Sequence, residues 1–267
     1  MGNLRCPVCH HELKPVEQGL GCEKNHRFDR AASGYVNLGI GSKQRKSGDE
    51  KRMIQARSRF LNQGYYEPLL VAIGDMIQTL NLNDAVDLGC GEGYYTNAFA
   101  NRFPRISWTG IDLPTEALKH AAKLNRNIRY VASSISDVPL MDESADLALN
   151  IFAPIFPTEI KRILRIGKYA ILVLPHTDHL YELKQHLYSN VLLNPEPLDA
   201  LEGLGTYDYQ DVRFTMHLDS QASIQDLLGM TPYVHRSPKE GLERVANLTE
   251  LDVRASFRIL CVTKTDK

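Results

Sequence analysis

The sequence predicts an α/β protein in which a small Cys/His-rich module precedes a seven-stranded, largely parallel sheet with helices on both faces. Three observations predict it. From Ala85 onward, short apolar runs alternate with helical segments, the pattern of a sheet buried on both sides. The first of these runs turns into a helix through Gly89-Cys90-Gly91-Glu92-Gly93, a glycine-rich junction of the kind that lets a ligand approach the backbone. Three of the five cysteines, Cys6, Cys9 and Cys22, fall within the first 22 of 267 residues, and an odd count with no legible secretion signal argues against a disulfide framework.

The strands expected in order are 85–88, 107–111, 128–132, 145–151 and 169–174, with helices near 95–103, 115–124, 158–164 and 179–189 between and after them. Two later strands, 212–218 and 256–264, complete the seven. Ahead of the sheet, Met53, Ala56, Phe60 and Leu61 recur at helical spacing. Leu69, Ile73, Met76, Ile77 and Leu80 continue as a second helix that Pro68 can open. The stretch GIGSKQRKSGDE, 39–50, is nearly devoid of apolar residues and reads as a linker. The chain therefore divides into a module at 1–38, a basic linker at 39–52 and a large domain at 53–267.

Composition narrows the class. With 43% hydrophobic and 24% charged residues, and no apolar run approaching the roughly 18 residues of a membrane span, the sequence reads as that of a soluble protein with no membrane partner. No secretory signal is legible at the N-terminus, so a cytoplasmic location is expected. The net charge of −1 conceals an asymmetry: residues 1–60 hold 12 Lys and Arg against 6 Asp and Glu, the rest 19 against 26. A local positive field suits recruitment of a polyanion, although a solvated charged linker accounts for the charge alone equally well.

At the N-terminus, Cys6-Pro7-Val8-Cys9 is followed after twelve residues by Cys22-Glu23-Lys24-Asn25-His26. Two cysteines two residues apart present both sulfurs to one tetrahedral centre, and Cys22 with His26 closes it, so one structural zinc per chain is expected at Cys6, Cys9, Cys22 and His26. His10 and His11 are read as surface residues. Around this site stand Lys24, Arg27, Arg30, Lys43, Arg45, Lys46, Lys51 and Arg52, with Phe28 and Tyr35 among them, a set suited to phosphates and unpaired bases.

In the large domain, Asp87-Leu88-Gly89-Cys90-Gly91-Glu92-Gly93 fits D-x-G-x-G-x-G and not the dinucleotide spacing G-x-G-x-x-G, whose third glycine would be Tyr94. The fitted pattern resembles that of class I S-adenosylmethionine methyltransferases, a Rossmann-like fold. Asp112, ending the next strand, stands where a carboxylate accepts both ribose hydroxyls. By the same resemblance Ser133, Ser134 and Asp137 follow the third strand, where adenine is contacted, although many such enzymes have a Gly-Asp pair there. Cys90 is read as a small residue of the loop. After the fourth strand, Asn150 can hydrogen-bond a base edge and Phe152 can stack on its face, or they can cap a turn and pack against the sheet. Asp178, His179 and Glu159 are candidate general bases by location.

Together these residues resemble the bacterial 23S ribosomal RNA guanine-N1 methyltransferases of the RlmA type. The resemblance rests on CPVC, CEKNHRFD, GYVNL at 34–38, QAR at 55–57, GYYEPL at 64–69, DLGCGEGYYT at 87–96, LNIFAP at 149–154, EIKRILR at 159–165 and DHLYEL at 178–183. It implies transfer of a methyl group to guanine N1 in a hairpin loop of 23S RNA by a homodimer whose zinc modules help clasp the RNA. It also implies cofactor contacts from Tyr66 and His179 beside the glycine loop. Where relatives have Pro-Gly-Gly after the EIKRILR segment, this chain has Ile166-Gly167-Lys168, expected as a turn. The competing reading is a small-molecule methyltransferase with a purely structural zinc module.

Overall fold

Each apolar run of the second half becomes a strand, because a segment hydrophobic on both faces is satisfied only between two helical layers. The computed structural model describes residues 3–39, 48–195, 201, 203–205 and 207–266. Lys43, Arg45 and Lys46 of the expected basic linker lie outside these. Among the described residues no helix is long and apolar enough to cross a membrane.

The central sheet is built from β4 (Val36–Asn37), β5 (Asp84–Leu88), β6 (Ser107–Asp112), β7 (Arg129–Ala132), β8 (Ala145–Ile151), β9 (Leu164–Pro175), β10 (Tyr207–Leu218) and β11 (Leu251–Thr263). Their order is β10-β11-β9-β8-β5-β6-β7-β4. β4 to β9 run parallel to their neighbours, while β11 is antiparallel to both β9 and β10. β5, which carries the glycine turn, lies between β6 and β8. The helices are α1 (Gly48–Asn62), α2 (Glu67–Gln78), α3 (Tyr94–Arg102), α4 (Thr115–Leu124), α5 (Pro157–Ile163), α6 (Tyr181–Leu187), α7 (Gln221–Gly229) and α8 (Lys239–Ala246). One face of the sheet buries Trp108, Tyr130, Phe60 and Phe99, the other Val86, Ile111, Val131 and Leu172.

The sheet has eight strands where seven were expected. The eighth is β4, whose Val36 and Asn37 pair in parallel with Val131 and Ala132 of β7. Covering an edge in this way removes a row of unpaired backbone groups. Two further departures have local causes. α1 starts at Gly48, inside the expected linker, because residues 48–52 carry no apolar side chain to mark a helical period. The EIKRILR helix ends at Ile163, and Ile166-Gly167-Lys168 lies within β9 as a bulge between the pairs Ala145↔Leu164 and Leu147↔Tyr169. Gly167, at φ +74°, supplies the turn that the bulge requires.

The N-terminal segment folds as a three-stranded antiparallel sheet, β1 (Lys14–Val16), β2 (Gly19–Gly21) and β3 (Arg27–Asp29). It is not a separate body. Leu4 bridges Leu140, Met141 N–H donates to Asn3 at 2.9 Å, and Arg5 pairs with Asp137. Leu4, Leu13, Leu20, Val36 and Leu38 pack into the same apolar cluster as Leu88, Val131 and Leu140.

A segment too short to hold its own core depends on its metal for folding. Chelation, or Cys22→Ser, is therefore expected to destabilise β4 as well as the small sheet, and to accelerate hydrogen exchange of the β7 amides near Val131. Exchange monitored by mass spectrometry checks this; unaltered protection in β7 would show that the sheet edge holds without the metal.

Candidate functional site

Two loops of like shape converge at the N-terminus. In each, the backbone N–H of the first cysteine donates across the loop: Cys6 N–H to His11 O at 2.8 Å and Cys22 N–H to His26 O at 3.1 Å. His10 (φ +62°) and Asn25 (φ +63°) take the left-handed conformation that reverses each loop. The potential ligand atoms of Cys6, Cys9, Cys22 and His26 all lie within 4.8 Å of one another. Cys9 Sγ is 3.5 Å from Cys22 Sγ, and His26 Nδ1 is 3.3 Å from Cys22 Sγ and 3.5 Å from Cys6 Sγ. A tetrahedral zinc with ordinary Zn–S and Zn–N lengths requires about 3.8 Å between sulfurs and about 3.5 Å from sulfur to nitrogen. The four residues fit that ion. His11 turns away to Glu23 at 3.0 Å.

At the C-terminal ends of β5 and β6, the glycine loop takes three left-handed turns, at Gly89, Gly91 and Gly93. A side chain at Gly89 would strike Ala153, whereas a Cβ at Gly91 would meet only Arg57 Nε at 4.0 Å. Gly91 thus leaves a cradle open to a ligand. Asp112 Oδ2 accepts the Gly91 N–H at 2.6 Å and Oδ1 accepts its neighbour Leu113 N–H at 2.7 Å. Burial pushes the Asp112 carboxyl above its ordinary value, against these two hydrogen bonds. Gly89, Gly91, Glu92, Asp112, Ser133 and Ser134 line one cavity of about 440 Å³.

A second cavity, about 610 Å³, opens beside it and is lined by Tyr66, Tyr95, His179, Tyr233 and Arg236. The two share Arg57, Phe152, Ala153, Pro154 and Met230. Phe152 stands at that junction with φ +58°, a strained conformation for an aromatic residue, and packs on Tyr66 and Phe257. His179 Nδ1 accepts the Ser256 N–H at 3.2 Å, which leaves the ring proton on Nε2, 3.5 Å from the Tyr66 hydroxyl. Burial pulls the His179 imidazole down to about 3, so the ring is neutral. Burial also raises Tyr66, whose own O–H remains available to donate.

Not every expected residue reaches a cavity wall. Asp87 is buried with its carboxylate accepting from Thr96 Oγ1 at 2.5 Å; burial pushes it up to about 7, with repulsion from Asp112 adding to that against the Thr96 bond. Cys90 lies behind the loop, beside Gly110 and Tyr130, and Gly93 caps α3. Asn150 lines neither cavity: its amide donates to Pro154 O at 3.0 Å, holding the turn that presents Phe152. Asp137 is engaged by Arg5. Glu159 binds Arg162 and the Val138 N–H, and Asp178 binds Arg254 and His176. Neither carboxylate lines a cavity, and against burial these partners hold Asp178 at about 2.

Arg57, absent from the sequence-based list, is central. α1 carries Met53, Ile54 and Arg57 on one face over the glycine loop, and Arg57 Nε donates to the buried Glu92 at 3.2 Å. Burial pulls its guanidinium down and the Glu92 charge outweighs that. Its spacing from Met53, one helical turn, was the available signal. Tyr95, with a buried hydroxyl that finds no partner among the described residues, was likewise missed.

Comparison with known proteins agrees with this geometry. Residues 4–46 match the family model described as "RlmA, N-terminal", and 85–167 match a methyltransferase domain. The chain is 31% identical over 258 residues to the 23S rRNA (guanine(748)-N(1))-methyltransferase of Streptomyces fradiae, covering 92% of this chain and 90% of that one. It is 29% identical to a provisionally assigned 23S rRNA (guanine-N1)-methyltransferase of Bacillus subtilis, over 96% and 95%. In fold it resembles a solved Bacillus halodurans protein at TM-score 0.51 and 19% identity, over 73% of this chain and 98% of that one. With a front end and a cofactor domain that both match in one order, the chain belongs to the family of 23S ribosomal RNA guanine-N1 methyltransferases.

Proposed function

We propose that this chain methylates N1 of a guanine in a hairpin loop of 23S ribosomal RNA, using S-adenosylmethionine. The observation that carries the reading is the likeness to relatives of that activity over nine-tenths of both chains, zinc module included. The small-molecule alternative, in which the zinc module is purely structural, has less support, because the front end matches the model described as "RlmA, N-terminal". When bound, S-adenosylmethionine supplies a methyl group on a positively charged sulfur.

The chain's own residues define where each part would be held. Asp112 offers carboxylate oxygens to the ribose, Ser133 and Ser134 flank the adenine end, and the Gly91 cradle admits the backbone approach. Tyr66 and His179 extend the site toward the second cavity, where an unpaired guanine would enter past Phe152. Positioning of this kind can contribute several kcal/mol, up to roughly 7–11 for well-oriented reactants. Guanine N1 lies on the pairing edge, so the base must leave its stack or be unpaired.

Residues 1–38 serve as the RNA-recognition module, 39–52 as a basic linker and 53–267 as the methyltransferase domain, with α1 rooted in that linker. The family resemblance further implies a homodimer acting in the cytoplasm. Mass spectrometry of ribosomal RNA from cells lacking the protein tests the activity itself: loss of one N1-methylguanine supports it, and an unchanged RNA would overturn it.

Asp112→Ala is expected to weaken S-adenosylmethionine binding by about 1.5–3 kcal/mol, the range for hydrogen bonds to a charged acceptor, read by calorimetric titration. Unchanged affinity in a folded variant would place the ribose elsewhere.

Asp87 gives a pH dependence. With its carboxyl at about 7 in the folded chain against an ordinary 3.8, the native state binds the proton more tightly. Its contribution to stability is therefore greatest at low pH and is lost as pH rises through about 7. Asp87→Asn is expected to remove that fall, on the order of a few kcal/mol, in thermal unfolding of cofactor-free protein. Parallel curves for wild type and variant would sink it.

Lys24 and Arg27 are exposed on the zinc module. If they meet phosphates, their joint replacement by Ala should weaken RNA binding and flatten its salt slope by about one per cation, leaving cofactor affinity unchanged. An unaltered slope would assign RNA contact to another surface.

A further inference from the structure

Among the described residues, the larger cavity is lined by hydrogen-bond donors and by no carboxylate. Its ionisable wall comprises Arg57, Tyr66, Tyr95, His179, Tyr233 and Arg236, with no carboxylate among the lining residues. Charges beside that wall include Glu92, already bound to Arg57, Asp178, which acts on His179 and is bound to Arg254, and Lys184, whose Nζ lies 5.7 Å from the centre of the Tyr233 ring and binds Asn194 at 2.6 Å. His179 already has its Nδ1 occupied by the Ser256 N–H and carries its proton on Nε2 toward Tyr66. Burial keeps Tyr66, Tyr95 and Tyr233 protonated, Tyr233 to about 12. Such a wall suits an oxygen that carries negative charge.

Arg236 lines the same cavity. It follows a 3-10 turn, Pro232–His235, whose capping Thr231 accepts the Tyr233 N–H, and its own N–H donates to Tyr233 O at 3.0 Å. Ser237 Oγ, next in the chain, ties the turn to the Tyr188 hydroxyl at 2.9 Å. Arg236 is exposed, and its guanidinium has no hydrogen bond or ion pair among the described residues.

We propose that Arg236 is a catalytic residue that donates to guanine O6 and holds the base as its N1-deprotonated anion, so that water and not a side chain receives the N1 proton. The inference rests on the guanine-N1 reading above. In the balanced step the N1–H bond breaks and its proton passes to water or hydroxide in the open cavity, leaving the electron pair on N1 with charge shared to O6. The N1–CH3 bond then forms as the S–CH3 bond breaks, and the departing electron pair neutralises the positive sulfur. No further proton transfer is needed.

The test uses the full-length, zinc-loaded protein and a 23S hairpin RNA. Single-turnover methylation is expected to rise tenfold per pH unit between about pH 6 and 7 and to level off near about pH 8, where most of the bound base is deprotonated. Arg236→Gln should lower the rate roughly 100-fold and shift the profile to higher pH, with Arg236→Lys recovering part of the rate. An independent readout is calorimetric binding of the RNA in the presence of S-adenosylhomocysteine, in buffers of different ionisation enthalpy. At about pH 8 wild type is expected to release most of one proton per RNA bound and Arg236→Gln close to none. A rate that is flat above about pH 6, binding without proton release, or an unaffected Arg236→Gln would each overturn the proposal. A methyl group found away from N1 would instead overturn the function on which it rests.

Discussion

The hydrogen bond from Gly91 N–H to Asp112 ties the ends of β5 and β6 together, and the rest of the site is arranged around it. For that bond to form, the glycine loop must turn back over the sheet, which requires a left-handed residue at three alternate positions. The same turn sets the start of α3 and thereby the position of Tyr95. It also brings Glu92 beneath α1, where it draws Arg57 to the junction of the two cavities. A side chain at Gly89 would push Ala153 away and with it the loop that carries Phe152. The glycine cradle and the junction of the two cavities therefore share one backbone constraint.

α1 connects this constraint to the front of the molecule. Its Arg59 binds Asp226 of α7 at 2.6 Å, and α7 leads to Met230 and the turn bearing Tyr233 and Arg236. One helix thus fixes Arg57 over the cofactor loop and, through α7, steadies the opposite wall of the larger cavity. Arg59 is well exposed, so the direct energy of the pair is modest. Its bidentate geometry acts mainly on orientation.

The middle of the sheet was legible because β5, β6, β7 and β8 are buried along nearly their whole length, a pattern with little ambiguity once helices separate them. All four metal ligands could be named, since their spacing alone determines a tetrahedral set. β4 was not legible: two residues carry no period, and their pairing with Val131 and Ala132 is decided by tertiary docking. Asn150 shows the opposite limit. Its residue type and position suited a base contact, but the buried turn at Pro154 uses its amide. Arg57, Tyr95 and Arg236 lie on three separate elements, so no local motif could gather them.

The docking of the zinc module explains one departure from the expected cofactor site. Ala132 pairs with Asn37 and the chain then passes through Ser133 and Ser134, on the cavity wall, to Asp137, held by Arg5. A carboxylate that the sequence would assign to adenine is instead spent on joining the module to the sheet. Because Leu38 N–H also donates to Ala132 O at 2.9 Å, the strand bearing the module is bonded to the residue that precedes the cavity wall at Ser133 and Ser134. Any displacement of the module must move that wall or break the edge pairing. The small metal-held sheet therefore acts as a structural buttress of the cofactor cavity, in addition to any surface it offers to RNA.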